Sequence, residues 1–260
     1  MYDMVLRRIG NKSLIANKII KYFPIHSIYI EPFFGAGGIF FNKYKSKFNI
    51  MNDIDSDVYN LYMVIKNNKE QLEKEFYIMP IHSDLLEYCK ANKESDPIKK
   101  ALRFLFISLF MPFGHQGTID LNPRNSKNRF YEVINDTFDL LFNVKFSNLD
   151  FRVFIQSVVN RINSDGSNID NAFIYADPPY LGTVDNYSHS FTEQDSIDLF
   201  NSLESTQCKF AMSEFDNPFI LEQAKQRNLN IIEIGERQNL KNRRTEILIT
   251  NYETEKSLFD

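Results

Sequence analysis

The chain has 260 residues, 43% of them hydrophobic and 25% charged, with 9 Gly and 9 Pro; this is globular composition and excludes disordered, collagenous and low-complexity classes. With 30 basic against 34 acidic residues the net charge is −4, which builds in no global attraction to a polyanion. Two cysteines, Cys89 and Cys208, are too few for a disulfide framework, and no signal peptide or membrane-length apolar run is read, so the sequence predicts a reducing, cytoplasmic setting without a membrane partner.

In chain order, GNKSLIANKIIKYF (10–23) carries apolar residues at helical spacing, with Ser13 as its cap. SIYI (27–30) is a short strand ending in the glycine-rich turn EPFFGAGG, and GIFFNKY reads as the helix that follows. FNIMND (48–53) is a second strand, followed by a helix from Ser56 to about Phe76. Residues 77–143 interrupt the alternation with helical stretches (81–91, 97–110) and a polar, basic loop through MPFGHQGTIDLNPRNSKNRFY; they read as an insertion. The phenylalanine-rich run before that loop reads as the insertion's core, and the cysteines as small buried apolar residues. The array resumes with strand 144–148, helix 151–162, strand 172–177, helix 192–204, strand 209–213 and helix 217–227, then strands 230–234 and 245–251 as an antiparallel hairpin. Seven strands alternating with helices predict an α/β fold with a mostly parallel sheet and ligands at the carboxyl ends of its strands.

The most informative run is DPPY, Asp177–Pro178–Pro179–Tyr180, at the end of an apolar strand. Two prolines fix the backbone and stiffen the turn. An Asp177 carboxylate and a Pro178 carbonyl aimed at one spot could accept both N–H bonds of an exocyclic amine, with the Tyr180 ring stacked on the heterocycle. Such acceptors favour a pyramidal nitrogen and stabilise the positive charge that develops as it attacks. The second run joins Glu31 and the glycine turn to NDID (52–55), where Asp53 ends the next strand and can accept ribose hydroxyls. As a dinucleotide fingerprint, Gly35-x-Gly37 would require a small residue where Phe40 stands, and Glu31 disfavours a pyrophosphate. A nicotinamide oxidoreductase is therefore the weaker alternative. S-adenosylmethionine, with an ammonium, a sulfonium and a ribose but no phosphate, suits these acids better.

The order GNK, EPFFGAGG, NDID, insertion, NLDF, ADPPY, SFTEQD, FAMSEFDNPF, TEILITN resembles the Dam-type DNA adenine-N6 methyltransferases, the alpha class or D12 family. The resemblance implies the AdoMet-dependent, Rossmann-like methyltransferase sheet over 1–56 and 144–260, with 57–143 as an inserted helical target-recognition domain. It implies S-adenosyl-L-methionine held by Gly10, Lys12, Glu31, Phe33, Gly35, Gly37, Asp53, Asp150, Phe151 and Asp177. Asp177, Pro178, Pro179 and Tyr180 would be catalytic on an adenine flipped out of double-stranded DNA. Arg8 and Glu214 depart from the family, which often has an aromatic residue and commonly an asparagine at those places. Basic clusters with His115, Gln116, Arg124, Lys127, Arg129, Lys241, Arg243 and Arg244 are expected to contact DNA. Methylation of cytosine N4 or of RNA, and an inactive DNA-binding protein, are the alternatives. A cognate restriction endonuclease is an optional partner, a monomer or weak dimer the expected state, and no metal site is expected.

Overall fold

A computed structural model of the chain describes residues 5–6, 8, 10–111, 119, 127–164, 169–182, 191–238 and 243–254. Two compact units emerge, the first made of Met1–Leu14, Gly35–Asn42 and Asp55–Phe146, the second of Ile15–Phe34, Lys43–Ile54 and Ser147–Asp260.

The N-terminal periodicity predicts one long helix, but the chain makes a 3-10 turn, Ser13–Ile15, and the short helix α1 (Ala16–Ile20). Gly10 is left-handed (φ 87°), and Asn11 Oδ1 accepts the Ser13 N–H at 3.0 Å, a local bond that competes with helix formation. Ser13 accordingly does not cap α1. Strand β1 (Ile28–Glu31) leads into the glycine turn. In place of the expected GIFFNKY helix stands a single 3-10 turn, Phe40–Asn42. Left-handed Gly35 (φ 53°) and Gly37 (φ 73°) interrupt the helical backbone just where it would have to start.

Strand β2 (Phe48–Asn52) precedes α2 (Ser56–Ile78), α3 (Ser83–Ala91) and α4 (Pro97–Phe110). Each of these helices starts at a side-chain cap: Asp55, His82 and Asp96 accept from Asp57, Leu85 and Lys99 N–H. Helix α5 (Lys127–Leu141) takes in the end of what the sequence reads as a loop, because its buried stripe begins only at Phe130 and continues through Val133, Ile134, Thr137 and Leu141. In the first unit α2 packs on α4 and α5, and α3 on α4, around Phe76, Phe106, Phe110 and Phe130.

Strand β3 (Val144–Ser147), α6 (Phe151–Ser164), β4 (Ala172–Ala176), α7 (Glu193–Ser205), β5 (Lys209–Phe215), α8 (Pro218–Gln226), β6 (Asn230–Gln238) and β7 (Arg243–Thr250) complete the chain. The seven strands form one sheet in the order β3-β2-β1-β4-β5-β7-β6. Strand β1 is parallel to β2 and β4, β4 is parallel to β5, and β7 runs antiparallel to both β5 and β6, so the predicted mostly parallel sheet and terminal hairpin are present. Both hairpin strands run further than the pattern predicts, and Arg237 pairs across from Arg244 near the tip.

Strand alternation sorts the second unit's residues into two faces. Ile28, Ile30, Ala172, Ile174, Phe210, Met212, Ile247 and Ile249 pack with Phe154, Ile155, Leu199, Phe200, Leu203 and Ile220 of α6, α7 and α8. The alternate positions form an aromatic layer in which Phe23 meets Phe173 (ring centroids 4.6 Å apart) and Tyr175 (5.3 Å), with Tyr29 beside them. Glu31 and Asp177 continue this second register. Cys89 and Cys208 are both free and buried, and among the described residues no helix is long and apolar enough to cross a membrane.

Candidate functional site

The chain leaves β1 toward β2 on one side, whereas β4 leads to β5 on the other, so β1 and β4 flank the point where the strand order reverses. Crevices at the carboxyl ends of strands bind ligands at such a point. Glu31 closes β1, and Asp177 follows the last residue of β4. With Tyr29 paired to Phe173 and Ile30 to Ile174, the register brings these two acids to the same end of adjacent strands.

Glu31 is 2% exposed and accepts a hydrogen bond from Tyr29 Oη at 2.9 Å. Burial pushes its carboxyl well above the usual range, and the charges of Asp177 and Asp53 add to the rise against the Tyr29 bond and Lys43. Lys43 sits 4.0 Å from the Tyr29 ring centroid and donates to Tyr44 O (2.8 Å) and Ser46 Oγ (3.0 Å). Its burial lowers the ammonium to about 8. Asp53, at the end of β2, is 8% exposed. Strand ends rich in carboxylates suit a ligand with cationic and hydroxyl groups and oppose a phosphate.

Asn52, which the sequence reading passes over in favour of its neighbour, organises this end of the sheet. Its amide donates to Pro32 O (3.0 Å) and Leu149 O (2.9 Å), while its carbonyl accepts from Leu149 N (3.0 Å) and Ser147 Oγ (2.9 Å). One buried side chain therefore fixes the residues just before Phe33 and Asp150. Phe33 in turn meets Phe151 (5.4 Å) and Phe191 (6.1 Å), an aromatic cluster in which Phe33 and Phe191 are half-buried and Phe151, next to Asp150 in the chain, is buried. Arg152, also missed, has its guanidinium 4.3 Å from the Phe151 ring centroid and binds Asp150 (3.1 Å), Asp195 (2.5 Å) and Asp198 (2.8 Å).

Beyond Asp177, Pro178 is buried and Tyr180 is 7% exposed. The Tyr180 hydroxyl donates to Glu246 Oε1, and its ring forms a T-shaped pair with Phe215 at 4.6 Å between centroids. Glu214, the departure noted in FAMSEFDNPF, accepts from the Leu181 N–H at 3.3 Å and the Phe215 N–H at 2.8 Å. Glu246 lies inside TEILITN and is buried at 1% exposure, although an acid between Thr245 and Ile247 reads by strand alternation as a solvent-facing position.

In the first unit, Gly35 has open space where a side chain would stand, and buried Lys12 donates to Gly10 O at 3.2 Å. Arg8 pairs with Asp55 at 2.9 Å, which accounts for a cation there. Of the residues expected to contact DNA, Lys127 is engaged internally, donating to Tyr77 O and Met79 O at the end of α2, and on α4 the cations Lys100 and Arg103 pair with Asp57. Arg129 is half-buried on α5. Arg244 is held 5.5 Å from the Phe215 ring centroid, and Arg243 begins β7. His115, Gln116, Arg124 and Lys241 lie outside the described residues.

A family profile described as D12 class N6 adenine-specific DNA methyltransferase matches residues 9–240. The chain is 27% identical over 261 residues to the type II methyltransferase M1.LlaDCHI of Lactococcus lactis subsp. cremoris, covering 86% of each chain. It is 27% identical over 211 residues to the DNA adenine methylase of Escherichia coli (strain K12), covering 75% of this chain and 73% of that one. Against the modification methylase StsI of Streptococcus sanguinis it is 25% identical over 282 residues, spanning 96% of this chain and 43% of the relative.

Proposed function

The chain belongs to the D12 class N6 adenine-specific DNA methyltransferases, and from that premise we propose that it uses S-adenosylmethionine as methyl donor and presents Asp177, Pro178 and Tyr180 to the adenine. The observation that carries this reading is the meeting of Glu31 and Asp177 at the carboxyl ends of the two strands that flank the switch point. The residues present fit such a donor. Buried carboxylates at Glu31 and Asp53 would take its ammonium and ribose hydroxyls, and Asp150 with the Phe33 and Phe151 rings would take its adenine. When bound, the donor supplies a methyl group on a positively charged sulfur, already activated for transfer.

The protein's part is then to present the nitrogen. Asp177 and the Pro178 carbonyl accept its two N–H bonds, which favours a pyramidal nitrogen and stabilises the positive charge that grows on it. The stiff proline turn holds both acceptors in place before the base arrives, so little orientation freedom is lost at the moment of reaction. The base has to leave the stack to reach them, at a cost of about a few kcal/mol that stacking on Tyr180 would partly recover. Arg244, near the tip of the β6–β7 hairpin, would meet phosphates, which position the duplex without reading its sequence. The similarity to a type II methyltransferase supports a restriction endonuclease of the same specificity as a functional partner.

Asp177→Ala should abolish incorporation of tritiated methyl groups into DNA while the unfolding midpoint stays near that of the parent. Digestion of the wild-type product should yield N6-methyladenosine's deoxy form as the only modified nucleoside. A variant that keeps most of the activity would overturn the assignment.

A further inference from the structure

Strands β5 and β7 are antiparallel neighbours, and their register places Phe215 directly across from Glu246. Such a pair shares one face of the sheet. Here the two side chains grip one residue at two places: Phe215 forms a T-shaped pair with the Tyr180 ring, with interplanar angle 80°, and Glu246 accepts its hydroxyl. The adjacent rung holds the chain that follows, because Glu214 accepts the Leu181 N–H. Tyr180 is thus fixed at its ring, its phenolic tip and the backbone of the next residue.

Glu246 is 1% exposed, and a carboxylate at such a depth is costly to desolvate. An apolar residue would fill the space with less penalty, so packing alone gives no reason for an acid there. A directional bond does. Tyrosine has two rotatable side-chain torsions, and an edge contact alone leaves the ring free to tilt; tying the hydroxyl to a strand residue removes that freedom. Burial, then Asp177 and Glu246, push the Tyr180 phenol well up, so the hydroxyl keeps its proton and its donor role at neutral pH.

We propose that Glu246, across the ladder from Phe215, is a positioning residue for Tyr180: it anchors the ring by its hydroxyl so that the surface for the acceptor base is set before the base arrives. This rests on the reading of Tyr180 as the residue that meets the adenine. Glu246 touches neither donor nor base; it acts through the tyrosine.

The test compares Glu246→Gln, Glu246→Ala, Tyr180→Phe, the double variant Tyr180→Phe/Glu246→Ala, and Tyr180→Ala. The measurements are kcat and KM on duplex DNA, fluorescence of 2-aminopurine at the target position, and donor affinity by calorimetry. Glu246→Ala should lower kcat by about tenfold and reduce the 2-aminopurine signal, while donor affinity stays within about twofold, because the lost bond acts on the acceptor base alone. Glu246→Gln keeps an acceptor oxygen and should recover most of the rate. Tyr180→Phe removes the same bond from its other end and should lower kcat by several-fold, so the proposal is tested even if Glu246→Ala does not fold. Losses in the double variant should be less than additive, as expected of partners in one interaction.

Full kcat in Tyr180→Phe, or strictly additive losses in the double variant, would overturn the proposal. Tyr180→Ala separates the two layers. If it loses methylation while Glu246→Ala keeps it, the positioning role fails and the tyrosine's own role stands. If Tyr180→Ala itself retains methylation, the reading on which the proposal depends is the one that fails.

Discussion

Replacing Asn52 with Ala removes a buried amide that makes four hydrogen bonds, two as donor to Pro32 O and Leu149 O and two as acceptor from Leu149 N and Ser147 Oγ. Each buried polar group left without a partner costs roughly 1–3 kcal/mol, and relaxation among neighbours makes the total less than the sum, so the net loss should be about 3–5 kcal/mol. For a chain of this size that corresponds to a fall in Tm of roughly 10 °C. The damage should extend to binding, since the same amide fixes the residues ahead of Phe33 and Asp150. Asn52→Asp sharpens the test: it preserves the size but turns two donors into lone pairs facing carbonyl oxygens, and should destabilise at least as much as Ala. Denaturant unfolding and calorimetric titration with S-adenosylmethionine measure both effects. Either variant unfolding within about 1 kcal/mol of the parent would show that Asn52 does not organise this end of the sheet.

Gly38→Ala should destabilise the protein by about 1–3 kcal/mol through overpacking, because a Cβ there would stand 2.2 Å from Asn11 Oδ1 and 2.9 Å from the Ser13 backbone nitrogen. Adding Asn11→Ala should return only part of this, the backbone contact remaining; a neutral Gly38→Ala in thermal unfolding would contradict the crowding. Lys43 predicts a pH dependence. Its ammonium is lowered to about 8 by burial, against an ordinary 10.5, so between those values the unfolded chain binds more protons and stability rises with pH. The full rise is worth about 3 kcal/mol at most, and Lys43→Met should flatten it. Unfolding curves at pH 7, 9 and 10 would show equal slopes in both proteins if Lys43 were not the source.

Much of the second unit was legible because its signals are local. The continuous apolar runs of β1 and β4 mark strands buried on both faces, and DPPY is stiff by covalent geometry. The hairpin was readable from two strand patterns with no helix between them. The glycine turn misled in one respect: its aromatic sequel has helical spacing, but left-handed Gly35 and Gly37 stop a helix from starting, and a sequence does not display the dihedrals that its glycines adopt. Lys127 looked like part of a free basic loop; that it closes the end of α2 depends on where α2 stops in space. Asn52 and Glu246 were hidden for a related reason. Each acts through partners far along the chain, Leu149 for one and Tyr180 for the other, and no short pattern records such a pairing.

Tyr29, Ile30, Phe173 and Ile174 lie on interior strands with hydrogen-bonded neighbours on both sides. Amide hydrogens there exchange with solvent only when the whole unit opens, whereas helix ends fray at far lower free energy. Deuterium should therefore reach these residues last. Gentle warming that silences the enzyme short of its melting point would have to disturb something other than the spacing of Glu31 and Asp177, which persists for as long as the sheet does.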